Sequence, residues 1–397
     1  MRSKALPTLI LSLLLALTFP IHATAAIKAG ATCKKLGLIS TSGSLKYTCI
    51  AKGKKLVWSK GVKVLNPIPK GTPTPTSTPT PTPTATQTPE PFQPTSLDDL
   101  IAHPESMSYW AWKKSGEKIA KGTSAGPVVT IHAGPHTALP NSKTNEAFLA
   151  AARLYAGFST PATIHVIYYE FEDIAWGQSE FAKYAFHPTG QEAARQCATP
   201  ETCWGALAEI DMKGAGIILA GAGVKDSNHT SGTLEAHEFT HTIQASQFVG
   251  TSKSGSSYCC IKAYLPYWAV EGGAEFVQAA AIYSNSFANY KSERGNVTGD
   301  FLNNSEGKFT ADWIKSYLDV SSTAIWNAPD NNWRMYDVGF ILNEALVAIK
   351  GPEISMQINK DVADGATWPQ AFEKNFGVPW SDALPKLALA LKAQLKS

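Results

Sequence analysis

The sequence predicts an α+β domain preceded by a small disulfide-bridged β module. Three observations carry that prediction. In the long C-terminal part of the 397-residue chain, strand-like segments come first and helical segments dominate later, the order expected of segregated α+β architecture. A Pro/Thr-rich stretch over 66–96 divides the chain. Ahead of it, Cys33 and Cys49 stand alone in a short lysine-rich segment. The length suits one large domain, or a large and a small one, and the 44% hydrophobic content is that of an ordinary globular protein.

Residues 1–25 read as a secretory signal peptide. Arg2 and Lys4 form a positive start, Leu9 to Phe19 an apolar run, and Ala23-Thr24-Ala25 a small-residue cleavage site. The alternative, an uncleaved anchor, has an apolar run that is short for a bilayer. No Cys sits just after the cleavage site to take a lipid, and no later segment has enough unbroken apolar residues to span. The expected localisation is secreted and extracellular, where disulfides are permitted.

Residues 27–65 form the small module. Lys46 to Ile50 and Lys55 to Trp58 read as short strands between Gly-containing turns. A unit this small needs a staple, which a Cys33–Cys49 bridge would supply. The other four cysteines, Cys197, Cys203, Cys259 and Cys260, allow three connectivities, of which Cys197–Cys203 is the simplest. A second metal site built from these thiols would lack the usual CxxC spacing. Residues 1–96 hold twelve Lys and Arg against one acid, Glu90, so the net +3 conceals a front of +11 and a remainder of −8. Such a front can attract anionic cell-wall polymers, membranes or nucleic acid by simple electrostatics, without marking a specific nucleic-acid site, or it can merely keep the module soluble. The 66–96 stretch cannot bury a core. It reads as an extended polyproline II spacer, reaching about 3 Å per residue, with acceptor residues for O-glycosylation.

Residues 97–397 are the main domain. Lys143 to Gly157 reads as a helix with an alanine-rich face, and Thr163 to Phe171 alternates and is β-branched, as a strand should be. Gly216 to Ala220 reads as a short strand. Leu234 to Phe248, Trp268 to Tyr283, Tyr336 to Lys350 and Trp380 to Lys396 read as helices. No internal repeat is visible.

The chemistry concentrates in His237-Glu238-Phe239-Thr240-His241. On a helix, residues four apart share a face, so both imidazoles can address one ion, and Glu238 can reach a water bound to it. One Zn2+ suits this donor set, with a fourth position left for water. A third ligand is needed. Histidine is excluded downstream, because no His follows His241 and Gln247 occupies the HExxHxxGxxH position. Glu271, in Trp268-Ala269-Val270-Glu271-Gly272-Gly273-Ala274-Glu275-Phe276, is the best choice. Its apolar neighbours predict a buried helix, where a carboxylate needs a partner. Glu275, one turn on, can orient a ligand histidine. His229 reads as a loop residue, and His132, His136, His165 and His187 as structural.

HEFTH followed by Trp-x-x-Glu-Gly-x-Ala-Glu-Phe resembles the gluzincin metallopeptidases, in particular the aminopeptidase N-like branch, whose second motif reads WxxEGxAxY. Phe276 stands where that motif has Tyr. The resemblance implies a zincin-like fold with an edge strand, an active-site helix and a mainly helical C-terminal part. It implies His237, His241 and Glu271 as metal ligands and Glu238 as base. Tyr336, in Met335-Tyr336-Asp337-Val338-Gly339, is similar to the branch's Tyr-x-x-Gly helix and would donate to the oxyanion. A plain core tyrosine is the alternative, with Tyr264, Tyr267 and Arg334 in reserve. In gluzincins an edge strand upstream of the metal helix binds substrate backbone, and Gly216 to Ala220 is either that strand or an ordinary core strand. Phe372 to Val378 resembles the family's C-terminal helical region. The exopeptidase GAMEN motif has no counterpart, which leaves endo- and exo-cleavage open. The 27–65 module resembles small modules appended to secreted actinobacterial proteins. The expected function is that of a secreted, zinc-dependent peptidase acting on peptide or protein substrates. The rival is a catalytically inactive cell-wall or surface-binding protein on a peptidase-like fold.

Overall fold

The computed structural model describes residues 28–42, 45–63, 89–141, 143–185, 188–211, 213–225, 227–253, 261–319 and 333–396. The signal-peptide segment 1–25, most of the Pro/Thr spacer, His187, Cys259 and Cys260 lie outside the described residues. The chain divides into two compact units, 1–86 and 87–397.

In the first unit, β1 (Ile39–Ser42), β3 (Lys55–Trp58) and β4 (Val62–Lys63) all pair antiparallel with β2 (Leu45–Lys52). The Cys33–Cys49 disulfide ties the entering segment to β2. Tyr47 and Cys49 are the buried residues here, so the bridge supplies what so small a core cannot.

The second unit is mixed α+β. Its sheet runs β5-β6-β8-β7, from β5 (Val128–Ala133), β6 (Thr163–Tyr169), β7 (Ala206–Ile210) and β8 (Gly216–Gly221). The first three strands are parallel and β7 is antiparallel to β8. Alternate residues of β6 and β8 enter two cores: Ile164, Val166, Tyr168, Ile218 and Ala220 on one face, Ile167, Tyr169, Ile217 and Leu219 on the other. That double coverage explains the unbroken apolar run of β8. Because β8 is paired on both sides, Gly216 to Ala220 is the core strand of the two alternatives, and its backbone cannot take an added strand. The edge strands are β5 and β7.

Helices α1 (Leu97–Ala102) and α2 (Met107–Lys121) precede the sheet. α3 (Thr144–Leu154) follows β5, while α4 (Ile174–Ala182) and α5 (Glu192–Gln196) follow β6. Within the stretch read as spacer, Ser96 caps α1, Glu90 accepts from Tyr109, and the Pro91 carbonyl accepts from the Trp110 indole, so residues 90–96 belong to this unit. The Cys197–Cys203 disulfide closes the loop between α5 and β7.

After β8 every described element is a helix: α6 (Ser227–Ser231), α7 (Thr233–Ser246), α8 (Tyr267–Ile282), α9 (Phe287–Asn303), α10 (Ala311–Leu318), α11 (Arg334–Lys350), α12 (Ile354–Ala363), α13 (Trp368–Phe376) and α14 (Trp380–Lys392). Among the described residues no helix is long and apolar enough to cross a membrane.

Candidate metal centre

α7 is buried along nearly its whole length although most of its residues are polar. The hydroxyls are satisfied locally: Thr240 Oγ1 donates to the Ala236 carbonyl, Thr242 Oγ1 to Phe239 and Ser246 Oγ to Thr242. Buried polar groups are tolerated on that condition. Near its start, the Glu235 carboxylate accepts from Tyr168 Oη and Asn141 Nδ2, both at 2.7 Å, which ties α7 to β6.

α7 and α8 bring three donor atoms together. His237 Nε2 and His241 Nε2 are 3.0 Å apart. Glu271 Oε2 lies 3.2 Å from His241 Nε2 and 3.6 Å from His237 Nε2. In a tetrahedral site with ligand bonds of about 2.0–2.1 Å, neighbouring donors sit about 3.3 Å apart. The observed triangle matches one face of such a tetrahedron. All three residues are buried, and together they could hold a metal ion.

Neighbouring groups aim these donors. His241 Nδ1 donates to Gln244 Oε1 at 2.8 Å, so Nε2 is the ring nitrogen turned toward the other two donors. Gln244 Nε2 in turn donates to the Val270 carbonyl, linking α7 to α8 beside Glu271. His237 Nδ1 faces Glu275 Oε1 at 3.4 Å, the orienting place expected for Glu275. Lys262 Nζ lies 3.0 Å from Glu271 Oε1, so the carboxylate presents its other oxygen to the imidazoles. The sequence motifs name neither Lys262 nor Gln244. Gln244 lies three residues after His241, one helical turn on, and that spacing is a usable signal. Lys262 has no local signal.

Electrostatics follow the burial. Burial alone would raise the Glu271 pKa, but His241, Lys262 and hydrogen bonds from both imidazoles outweigh it and hold the carboxyl well below its usual range. Burial would depress His237, yet Glu275, Glu271 and Glu238 together raise it to about 9. Glu275 is pushed up to about 7, by burial first and then by Glu271, Glu293 and Glu238, against His237. Burial also raises Glu238.

A cleft of about 780 Å³ opens onto this centre. His237, Glu238 and Glu275 line it, together with Tyr336, Trp333, Trp204, Gly205 and Ala206. Glu238 makes no hydrogen bond or ion pair among the described residues, so its carboxylate is available to whatever enters. The Tyr336 ring lies 6.4 Å from the His237 ring and stacks on Trp333. Burial, and then the nearby carboxylates, raise its pKa well above the ordinary phenol.

Of the reserves, Arg334 borders the cleft but is paired with Asp337 and Asp300. Tyr267 lies under the Lys262 ammonium. Tyr264 packs on Phe248 beside Lys253, and neither partner is among the residues of the centre. His229 is not in a loop: it sits buried in α6, its Nε2 2.8 Å from the Trp204 carbonyl oxygen. His132 and His165 pair with each other and, through His132, with Glu180, while His136 pairs with Asp173.

Comparison with protein families, curated proteins and solved structures gives no match for this chain.

Proposed function

We propose that the chain is a secreted zinc-dependent peptidase of the gluzincin kind. The observation that carries this reading is the buried triangle of His237 Nε2, His241 Nε2 and Glu271 Oε2 beside the unpaired Glu238 carboxylate at the cleft. Two nitrogens and one oxygen suit zinc, and three protein ligands leave a position open, as catalytic sites do. Zinc bound there supplies an acidified water and a polarised carbonyl.

The protein groups do the rest. Glu238 accepts the proton of the attacking water and returns it to the departing amine. Tyr336 remains a phenol in its buried surroundings and donates to the oxygen on which negative charge develops. Lys262 fixes one oxygen of Glu271, while Gln244 and Glu275 hold the two imidazoles, so the donors need not reorganise. An extended substrate lies along edge strand β7, whose first residue, Ala206, borders the cleft.

The test is metal analysis and peptide-library digestion of Glu238→Gln beside the parent. One zinc per chain in both, with hydrolysis lost by at least about 100-fold in the variant, is expected. Undiminished hydrolysis by the variant would remove Glu238 as base. Unchanged zinc in His237→Ala/His241→Ala would remove the centre.

A further inference from the structure

His237, His241 and Glu271 all belong to the second unit, and the small N-terminal unit has an unusual composition of its own. Between residues 28 and 63 the sequence holds nine lysines and neither Asp nor Glu. Its sheet has two unlike faces. Side chains alternate along β2, so Tyr47 and Cys49 point one way and Lys46, Thr48, Ile50 and Lys52 the other. Residues paired across strands share a face. The register therefore adds Ile39 opposite Thr48, Lys55 opposite Lys52 and Val62 opposite Lys46.

The first face is the core of the unit, with Tyr47 and Cys49 buried. On the second, Ile39, Ile50 and Val62 are 54%, 42% and 68% exposed, interleaved with exposed Lys46, Lys52 and Lys55. A solvated face of an antiparallel sheet is ordinarily polar. Clustered exposed aliphatics rimmed by charge mark an interaction surface.

We propose that this face docks on the surface of an anionic phospholipid bilayer. A soluble polyanion would engage the lysines and leave three aliphatic side chains in water. A lipid surface satisfies both: its phosphates meet the ammonium groups, and its acyl boundary receives the aliphatics while the lysine stems reach past them. Surface anchoring of this kind needs two signals together, apolar insertion and basic charge, and one strand register here supplies both.

The test is sedimentation of the full chain with phosphatidylglycerol/phosphatidylcholine vesicles, with pure phosphatidylcholine vesicles, and with soluble polyphosphate measured in parallel. Binding to the anionic vesicles and not to the neutral ones is expected. Each lysine near such a surface is worth about fivefold, so Lys46→Gln/Lys52→Gln/Lys55→Gln should weaken partitioning by about 100-fold. Ile50→Ser/Val62→Ser should weaken it by about tenfold or more and leave polyphosphate binding unchanged. If the serine pair fails to form the Cys33–Cys49 bridge, Ile50→Thr/Val62→Thr keeps β-branching and repeats the test. Absence of binding to anionic vesicles overturns the proposal. So does partitioning indifferent to loss of the aliphatics, which would mark a polyanion site instead.

Discussion

α8 and α11 meet backbone to backbone at Gly272 and Gly339. A Cβ on Gly272 would stand 2.2 Å from both Cα and the carbonyl carbon of Gly339, and a Cβ on Gly339 would stand 2.3 Å from the Trp268 carbonyl oxygen. Ordinary contact begins near 3.4 Å, so Gly272→Ala forces the helices apart by about 1.2 Å. The clash is with backbone, and no rotamer relieves it. In an unhindered helix interior, alanine is worth about 1 kcal/mol over glycine. Overpacking typically costs about 1–3 kcal/mol and sometimes more. With no side chain able to yield, the high end applies, and a net loss of about 2 kcal/mol is expected. For a unit the size of 87–397 that is about 3 °C in Tm. Gly295 on α9 has open space where its Cβ would go, so Gly295→Ala is the matched control and should be neutral or slightly stabilising. The same separation reaches the candidate metal centre, because Glu271 adjoins Gly272 and Tyr336 lies three residues before Gly339. Metal sites tolerate about 0.2 Å in ligand distance, so a shift of about 1.2 Å should cost at least tenfold in zinc affinity by chelator competition. Calorimetry of the Gly272→Ala and Gly295→Ala chains decides the packing argument. A Gly272→Ala chain that melts at or above the parent temperature refutes it.

Other expectations follow from buried groups. Glu344 is wholly buried and accepts Arg294 Nε at 2.8 Å on both oxygens and Tyr290 Oη at 2.7 Å. Arg294→Met strands that carboxylate, so urea titration should show a loss of about 3–5 kcal/mol, partly recovered by adding Glu344→Gln. Burial opposes ionisation of Glu192, but hydrogen bonds from Thr189, from nearby backbone N–H groups and from Gln178 outweigh it and hold its pKa at about 2. A depressed folded pKa contributes stability above about pH 4.5 that fades as pH falls toward 2. Denaturation between pH 6 and pH 2.5 should show that term, on the order of 2–3 kcal/mol, and Glu192→Gln should abolish it. If zinc occupies the centre, stripping it should lower Tm, and readdition at about 100 times Kd should restore about 2.7 kcal/mol. A Tm indifferent to zinc would contradict that.

The convergence of His237, His241 and Glu271 was legible because its decisive spacings are local. Two histidines four apart need only a helix to converge, and the apolar neighbours of Glu271 announced that its helix is buried. The strands were harder. β7 reads Ala-Leu-Ala-Glu-Ile, which favours helix by composition, and only pairing with β8 makes it a strand. The edge reading of Gly216 to Ala220 conflicted with its own residues: five consecutive apolar positions without alternation belong to a strand covered on both faces. Lys262 reaches Glu271 across a loop, a relation that no periodicity encodes. Gly339 is different, for it was visible as a motif letter in Tyr-x-x-Gly without a physical reason. The reason is the approach of α11 to Gly272. A side chain at either glycine would separate the helix bearing Glu271 from the helix bearing Tyr336. The two glycines are therefore a condition on the geometry of the centre, although neither touches it.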